Sequence, residues 1–426
     1  MSARVGAAII AASWVAGSAL AAELAWKPPL EVAAGRGERG PWQQNESRYD
    51  YVDDASVALG PDGAASVVWV EQGRKDVFLQ RFDAAGARQG EALNVSRSPG
   101  TFSWLPRIAL APGRPERLFV LWQEIVFSGG SHGGEIFFAR SEDGGASFSA
   151  PRNLSRSTAG EGKGRIHRDV WHNGSLDLAV GADGALYVAW TEYEGRLWVA
   201  RSGDAERFSR LQIRDQAPAR APSLAVAPDG VVYLAWTVGE DDGADIRIAR
   251  SGDRGASFSA PRIVERSAGY SDAPKIAVDR AGGLHLVHAE SAGGPFDRYR
   301  VHYARSGDGG RSFEPSRPIS PANAAFPSLA LDEQGGVYVL WEVFGNPRAR
   351  PRGLGLAVSR DGGRSFGAPA SVPQSAGLPG HWNGSFQGLL MRKLAANAGG
   401  SIAVVNSSLR DGDGSRVWLI RGQSPN

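Results

Sequence analysis

Short apolar runs of four to six residues recur along almost the whole chain, in pairs separated by a tight polar turn. The clearest is SLAVAPDGVVYLAW at residues 223–236, which reappears as SLALDEQGGVYVLW at residues 328–341. Further copies lie at residues 56–69, 175–190 and 275–288, with looser ones at 107–122 and 391–406. Within a copy the runs are joined by Asp-Gly, Gln-Gly or Gly-Gly. This is a hairpin signal, because glycine reaches positive φ at little cost and the resulting turn matches strand twist. A third run follows each pair, such as IRIAR at 246–250 or VHYAR at 301–305. After another glycine-containing turn comes a fourth extended segment.

A fixed order of four short strands, repeated seven times with unequal loops, is the mark of radial repetition. The pattern therefore predicts an all-β fold, a seven-bladed β-propeller of four-stranded antiparallel blades. The last repeat shows three strands, at residues 389–396, 401–409 and 417–421. The segment from Trp26 to Val32 is expected to supply the fourth, closing the ring by pairing the two ends of the chain. Closure of that kind removes open sheet edges.

Composition narrows the picture further. Gly 56 and Pro 25 suit a turn-rich chain, and a hydrophobic fraction of 42% suffices for a continuous core. The net charge of +2 comes with arginines scattered through the repeats, so no basic stripe marks a nucleic-acid partner. No cysteine is present, which rules out disulfides, thiol catalysis and Cys-ligated metals. Arg4, the apolar stretch at residues 5–17 and Ala19-Leu20-Ala21 read as a secretory signal spanning residues 1–21. The expected mature chain is then residues 22–426, a single propeller domain without a stable membrane anchor, periplasmic or secreted from a bacterium.

The turn after each third strand carries a second motif, Ser-x-Asp-x-Gly-x-x-Phe. It occurs around Asp143, Asp253, Asp308 and Asp361, in shortened form around Asp204, and in degenerate form around Asp83. An Asp side chain can accept amide N–H groups of its own turn, glycine supplies left-handed positions, and the aromatic buries between blades.

Candidate chemistry lies in the loops at the other ends of the strands. Loops leaving the second strand repeat a carboxylate: Glu71, Glu124, Glu192, Glu290 and Glu342, with Glu240 displaced. Such acids could ring a central mouth and bind polar ligands, or each could end a strand by pairing with a neighbouring arginine. Two loops leading into a first strand share His, Trp and Asn-Gly-Ser: one holds His167, Trp171, His172 and Asn173, the other His381, Trp382 and Asn383. Trp stacked on a sugar face beside His and Asn would make a glycan subsite; a shared loop-capping device is the other reading. No two of the seven histidines have metal-ligand spacing, so neither a metal nor a cofactor is expected. His285 and His288 fall within a strand pattern.

The Ser-x-Asp-x-Gly-x-x-Phe turns resemble the Asp-box (BNR) repeat of the sialidase superfamily, and the resemblance spans nearly the whole mature chain. It implies a propeller, six-bladed in the sialidases themselves as the alternative to seven, with the Asp boxes on the face away from the active site. It also implies an exported, exo-sialidase-like glycoside hydrolase or a carbohydrate binder. A non-catalytic assembly factor or interaction platform on the same fold is the alternative. Superfamily enzymes open one blade with Arg-Ile-Pro, whose Arg begins a triad gripping the substrate carboxylate. Arg220-Ala221-Pro222 matches that opening, and Asp241 stands where the catalytic acid would follow. The other triad arginines have no motif, although Arg300, Arg348, Arg350 and Arg392 are candidates. Tyr270 and Tyr299 lack an assignable Glu partner for the family's nucleophile pair.

Overall fold

The computed structural model describes residues 24–98, 100–111, 113, 116–126, 134–157, 159–167, 169–215, 217–240, 243–264, 266–384 and 390–424. The segment read as a signal, and Asp241, lie outside these residues. Among the described residues seven antiparallel sheets stand around one axis, six of four strands and one of five, with no helix long and apolar enough to cross a membrane. The fold is thus all-β and seven-bladed, and the six-bladed alternative is excluded.

Blades 1 to 6 occupy residues 52–94, 103–153, 176–213, 219–263, 270–318 and 324–371. Blade 7 consists of Leu394–Ala396, Ser401–Arg410 and Gly414–Gln423, with Ala25–Trp26 and Leu30–Gly35 from the other end of the chain both paired antiparallel to the last of these. Leu30 faces Leu419 and Gly35 faces Ser415 in that pairing. Each blade contributes one apolar face to a cluster shared with its neighbour. Val68, Val70 and Leu79 of blade 1 pack against Leu118, Val120 and Trp122 of blade 2, all nearly solvent-free. Trp122, Trp190 and Trp236, at matching positions of the repeat, are among the largest fully buried side chains.

The Asp boxes lock the outer turns by local hydrogen bonds. In blade 5, Asp308 Oδ1 accepts from Ser306 Oγ at 2.9 Å and from the Ser312 amide at 2.9 Å, while its Oδ2 accepts from Ser312 Oγ at 2.7 Å. The motif's aromatic then reaches the blade before: Phe366 meets Tyr303 edge-on with centroids 4.8 Å apart, and Phe208 meets Phe138 at 5.4 Å. These contacts are scaffold, made on the face that also carries the first hairpin of each blade.

The innermost strands share one irregularity. In blades 1, 2, 4, 5 and 6 their register shifts at a bulge, and Asp54, Leu105, Ala221, Ala273 and Phe326 there adopt φ between 49° and 59°. Left-handed backbone in a residue with a Cβ costs about 1–2 kcal/mol. Proline follows in four of the five cases, so the bulge sacrifices no amide hydrogen bond there. The bulge re-aims the flanking side chains. In blade 5, Asp272 faces a cavity on one side of the ring and Lys275 faces the central channel on the other.

Candidate functional site

The face opposite the Asp boxes holds a cavity of about 500 Å³, assembled from three blades. Blade 3 contributes a small hairpin in front of its first strand, Lys163–His167 paired with Val170–Asn173. Blade 5 contributes its bulge at Asp272 and Ala273 and the loop from Pro295 to Tyr299. Blade 6 contributes Asn323, Ala325 and Phe326 together with Phe344 and the loop at Pro347, Arg348 and Ala349. Trp171, Phe296, Phe326 and Phe344 set aromatic rings into its walls, and Trp171 and Phe296 stay 38% and 56% exposed at the mouth. Large apolar side chains left open to water around a cavity are the kind of surface that suits a ligand.

Two polar acceptors in this wall are unsatisfied. Asn173 Oδ1 and Asn323 Oδ1 are buried without a hydrogen-bond partner among the described residues. A buried amide oxygen without a donor costs roughly 1–3 kcal/mol, and a ligand hydroxyl would remove that cost. The titratable groups are tuned as well. Burial pushes the His172 imidazole below its ordinary range, opposed by Asp272 and reinforced by Arg220, so His172 is neutral at pH 7. Its ring lies 5.4 Å from that of Phe326. Burial raises the Tyr299 phenol far above its ordinary value, helped by the negative charge of Asp272, so it keeps its proton.

Beneath the cavity Arg220 is committed to the fold. Its Nε donates to Asp272 Oδ1 at 3.0 Å and its Nη2 to the Tyr270 hydroxyl at 2.7 Å; Nη1 donates to the carbonyls of Gly239 and Arg165. The residue is 2% exposed and its guanidinium lies 5.0 Å from the centre of the Tyr270 ring. Asp272 Oδ1 also accepts from Thr237 Oγ1 and from the Ala273 amide. This network holds the bulge of blade 5, and through it the cavity floor, in place.

The other residues singled out from the sequence are distributed as follows. Trp171, His172 and Asn173 line the cavity, and His167 stands next to it with its ring 6.3 Å from Phe296. The second His-Trp-Asn loop braces the rim from behind. Trp382 lies under the Arg350 guanidinium at 4.3 Å, His381 Nε2 is 3.3 Å from Asp413 Oδ2, and Asn383 donates to Glu342 Oε2 at 2.5 Å. Glu342 itself is buried against Lys393 Nζ at 2.5 Å. Glu192 accepts from Arg196 and from Trp198 Nε1, and Glu240 accepts from Arg165 Nε at 2.8 Å. Glu124 accepts from Trp122 Nε1, and Glu290 from Ser267 and Ser271. Each of these carboxylates has a local partner.

Asp272, Asn323, Phe326 and Phe344 had no motif of their own in the sequence. The signal that could have found them is positional: Asp272 and Phe326 sit at the bulge slot that Arg220-Ala221-Pro222 fills in blade 4.

Residues 73–339 match the family model described as the BNR repeat-like domain. Among solved structures the chain is similar to an ulvan lyase of a new polysaccharide lyase family, bound to -[GlcA(1-4)Rha3S]-, at 12% identity and TM-score 0.56, covering 92% of this chain and 96% of that one. It is also similar to polysaccharide lyase Uly1, at 12% identity and TM-score 0.54, covering 94% and 100%. The Hadza microbial sialidase Hz136 aligns at 15% identity and TM-score 0.46, covering 76% and 66%. No curated protein matches the chain.

Proposed function

This chain belongs to the BNR repeat-like domain family, and from that premise we propose that it acts on acidic glycans in the cavity between blades 3, 5 and 6, cleaving them by elimination. The observation that carries this reading is the pairing, in one aromatic-walled cavity, of a neutral imidazole (His172) with an un-ionised phenol (Tyr299). Arg298 and Arg348 line the same space. Elimination beside a sugar carboxylate needs these parts: a base that takes the proton from the carbon bearing the carboxylate, a cation that stabilises the charge developing there, and an acid for the departing oxygen. His172 is assigned the base, Tyr299 the acid and the two arginines the carboxylate. The carbon–hydrogen and carbon–oxygen bonds break, a carbon–carbon double bond forms, and the phenolic proton goes to the leaving oxygen. The two unsatisfied asparagine oxygens suit sugar hydroxyl donors, and two of the similar structures are polysaccharide lyases.

The hydrolytic reading, with Arg220 as the carboxylate anchor and Asp241 as the acid, has less support. Arg220 already spends its guanidinium on Asp272, Tyr270 and two carbonyls. We place the protein in the periplasm or outside the cell, which the arginine-led apolar segment at residues 1–21 supports.

The test is a panel of uronate-containing polysaccharides, followed by the ultraviolet absorbance of an unsaturated product, beside a panel of fluorogenic sialosides. Wild type is expected to form unsaturated product, and His172→Gln and Tyr299→Phe to lose at least about 100-fold in kcat. Fluorophore release from sialosides without any unsaturated product would overturn elimination. Saturable binding with no turnover on either panel would make the protein a carbohydrate binder.

A further inference from the structure

A second cavity, of about 370 Å³, lies on the axis of the ring and opens toward the face carrying the hairpin turns and Asp boxes. It is lined by the innermost strands, and in blades 1, 2, 4, 5 and 6 the residue that resumes the register after the bulge takes one equivalent position. In blades 1, 4 and 6 that position is a serine: Ser56 Oγ donates to the Pro106 carbonyl, while Ser223 and Ser328 Oγ accept amides of Ile276 and Lys393. The same position holds Arg107 in blade 2, Asp177 in blade 3 and Lys275 in blade 5; Lys275 lines the cavity together with Arg392 of the segment leading into blade 7, while Arg107 and Asp177 are buried beside it.

The charges do not balance. Asp177 is the one acid of this group; its Oδ1 accepts from Arg392 Nη2 at 2.8 Å and its Oδ2 from the Leu224 amide at 2.9 Å. Arg107 is fully buried, its guanidinium taken up by the carbonyls of Leu105, Pro106, Gly174 and Leu390. Lys275 faces the channel with no hydrogen bond and no ion pair within 4.0 Å among the described residues. Arg107, Lys275 and Arg392 thus gather about Asp177, with Asp54 also acting on Arg107, and cations held this close repel one another.

We propose that the axial channel is a binding site for a small inorganic anion, either chloride or an oxyanion of the phosphate or sulfate class, held between Lys275 and Arg392. Such an ion offsets the excess positive charge and links Lys275 of blade 5 to Arg392 at the entry to blade 7, so its occupancy reports as stability of the ring. It is separate from the glycan cavity, which lies on the opposite face. Burial brings the Lys275 amine down to about 8, with Asp177 opposing and Arg107 and Arg392 adding to the shift. Occupancy therefore weakens as the amine loses its charge.

The full-length protein is titrated with sodium chloride and, separately, sodium phosphate, at constant ionic strength against a bulky organic sulfonate, and its melting midpoint is followed. The expected result is a saturable rise with at least one of the two, half-maximal below about 100 mM, where nonspecific screening is held constant. Affinity should fall about tenfold or more in Lys275→Gln, and likewise in wild type between about pH 7 and pH 9.5. In wild type alone, acetylation of Lys275 by an activated ester, read by peptide mass spectrometry, should slow at least about threefold at saturating anion while the other lysines are unaffected. Absence of a saturable rise with either anion, or an unchanged Lys275 acetylation rate, overturns the proposal.

Discussion

Glu342→Gln separates two roles that the same residue could play. Glu342 and Lys393 have side chains only 1% and 4% exposed, and Lys393 Nζ lies 2.5 Å from Glu342 Oε1. Asn383 donates to the other carboxylate oxygen at 2.5 Å, and Asn406 Oδ1 accepts from Lys393 at 3.0 Å. The pair therefore joins the second strand of blade 6 to blade 7, the blade built from both ends of the chain. Substituting Gln leaves the ammonium buried with only neutral acceptors. Removal of one partner from a buried pair costs about 3–5 kcal/mol, and the surviving contact with Asn406 places the loss near about 3 kcal/mol. The measurement is equilibrium urea unfolding by tryptophan fluorescence for wild type, Glu342→Gln, Lys393→Met and the double variant. Each single change should cost about 3 kcal/mol and the double no more than either, giving a coupling of about 3 kcal/mol or larger. Glu342→Gln within about 0.5 kcal/mol of wild type, or additive single losses, would refute the closure role. Weakened ligand binding at unchanged stability would instead make Glu342 a ligand contact.

Three further outcomes follow from the geometry. The acid limb of catalysis should lie below the ordinary imidazole value of about 6.5, because burial holds His172 neutral, with no alkaline fall near about pH 10, because Tyr299 stays protonated; a pH–rate profile with its acid limb centred above about pH 7 would contradict the assignment. The Asp143 carboxyl is held down to about 2, first by Ser147 and then by Ser141, so its stabilisation is complete above about pH 4 and disappears as pH falls toward about 2; the stability gap between wild type and Asp143→Asn should close across that window, and a constant gap would count against it. Gly362 and Gly363 both sit at positive φ, 70° and 80°, but an added Cβ at Gly362 meets nothing while one at Gly363 would be 1.7 Å from the Tyr303 hydroxyl. Gly362→Ala should cost about 1 kcal/mol and Gly363→Ala clearly more, as measured by urea unfolding; equal losses would show that the aromatic shifts freely.

Much of this architecture is visible in local patterns. Period-two apolar runs, glycine turns and the Ser-x-Asp-x-Gly-x-x-Phe motif encode their own hydrogen bonds, so the strands, the Asp-box turns and the seven-fold repeat follow from residues close together in the chain. The site was only partly legible. Trp171, His172 and Asn173 stood out as a cluster of unusual residues in one loop, and the structure sets them in the cavity wall. The similar trio His381, Trp382 and Asn383 braces Glu342 and Arg350 instead. Nothing in either string distinguishes wall from brace, because that depends on what each loop meets.

Local pattern thus encodes the repeating unit: its strands, its turns, and which end of each blade is scaffold. The tertiary structure decided which side chains share a space. His172, Tyr299 and Phe326 come from three different blades and converge because the ring closes, while the bulges turn Asp272 toward one face and Lys275 toward the axis. The physical reason is range. A turn's hydrogen bonds and a strand's alternation are settled within a few residues, whereas a cavity, an unsatisfied amide or an unbalanced charge exists only once distant blades have packed together.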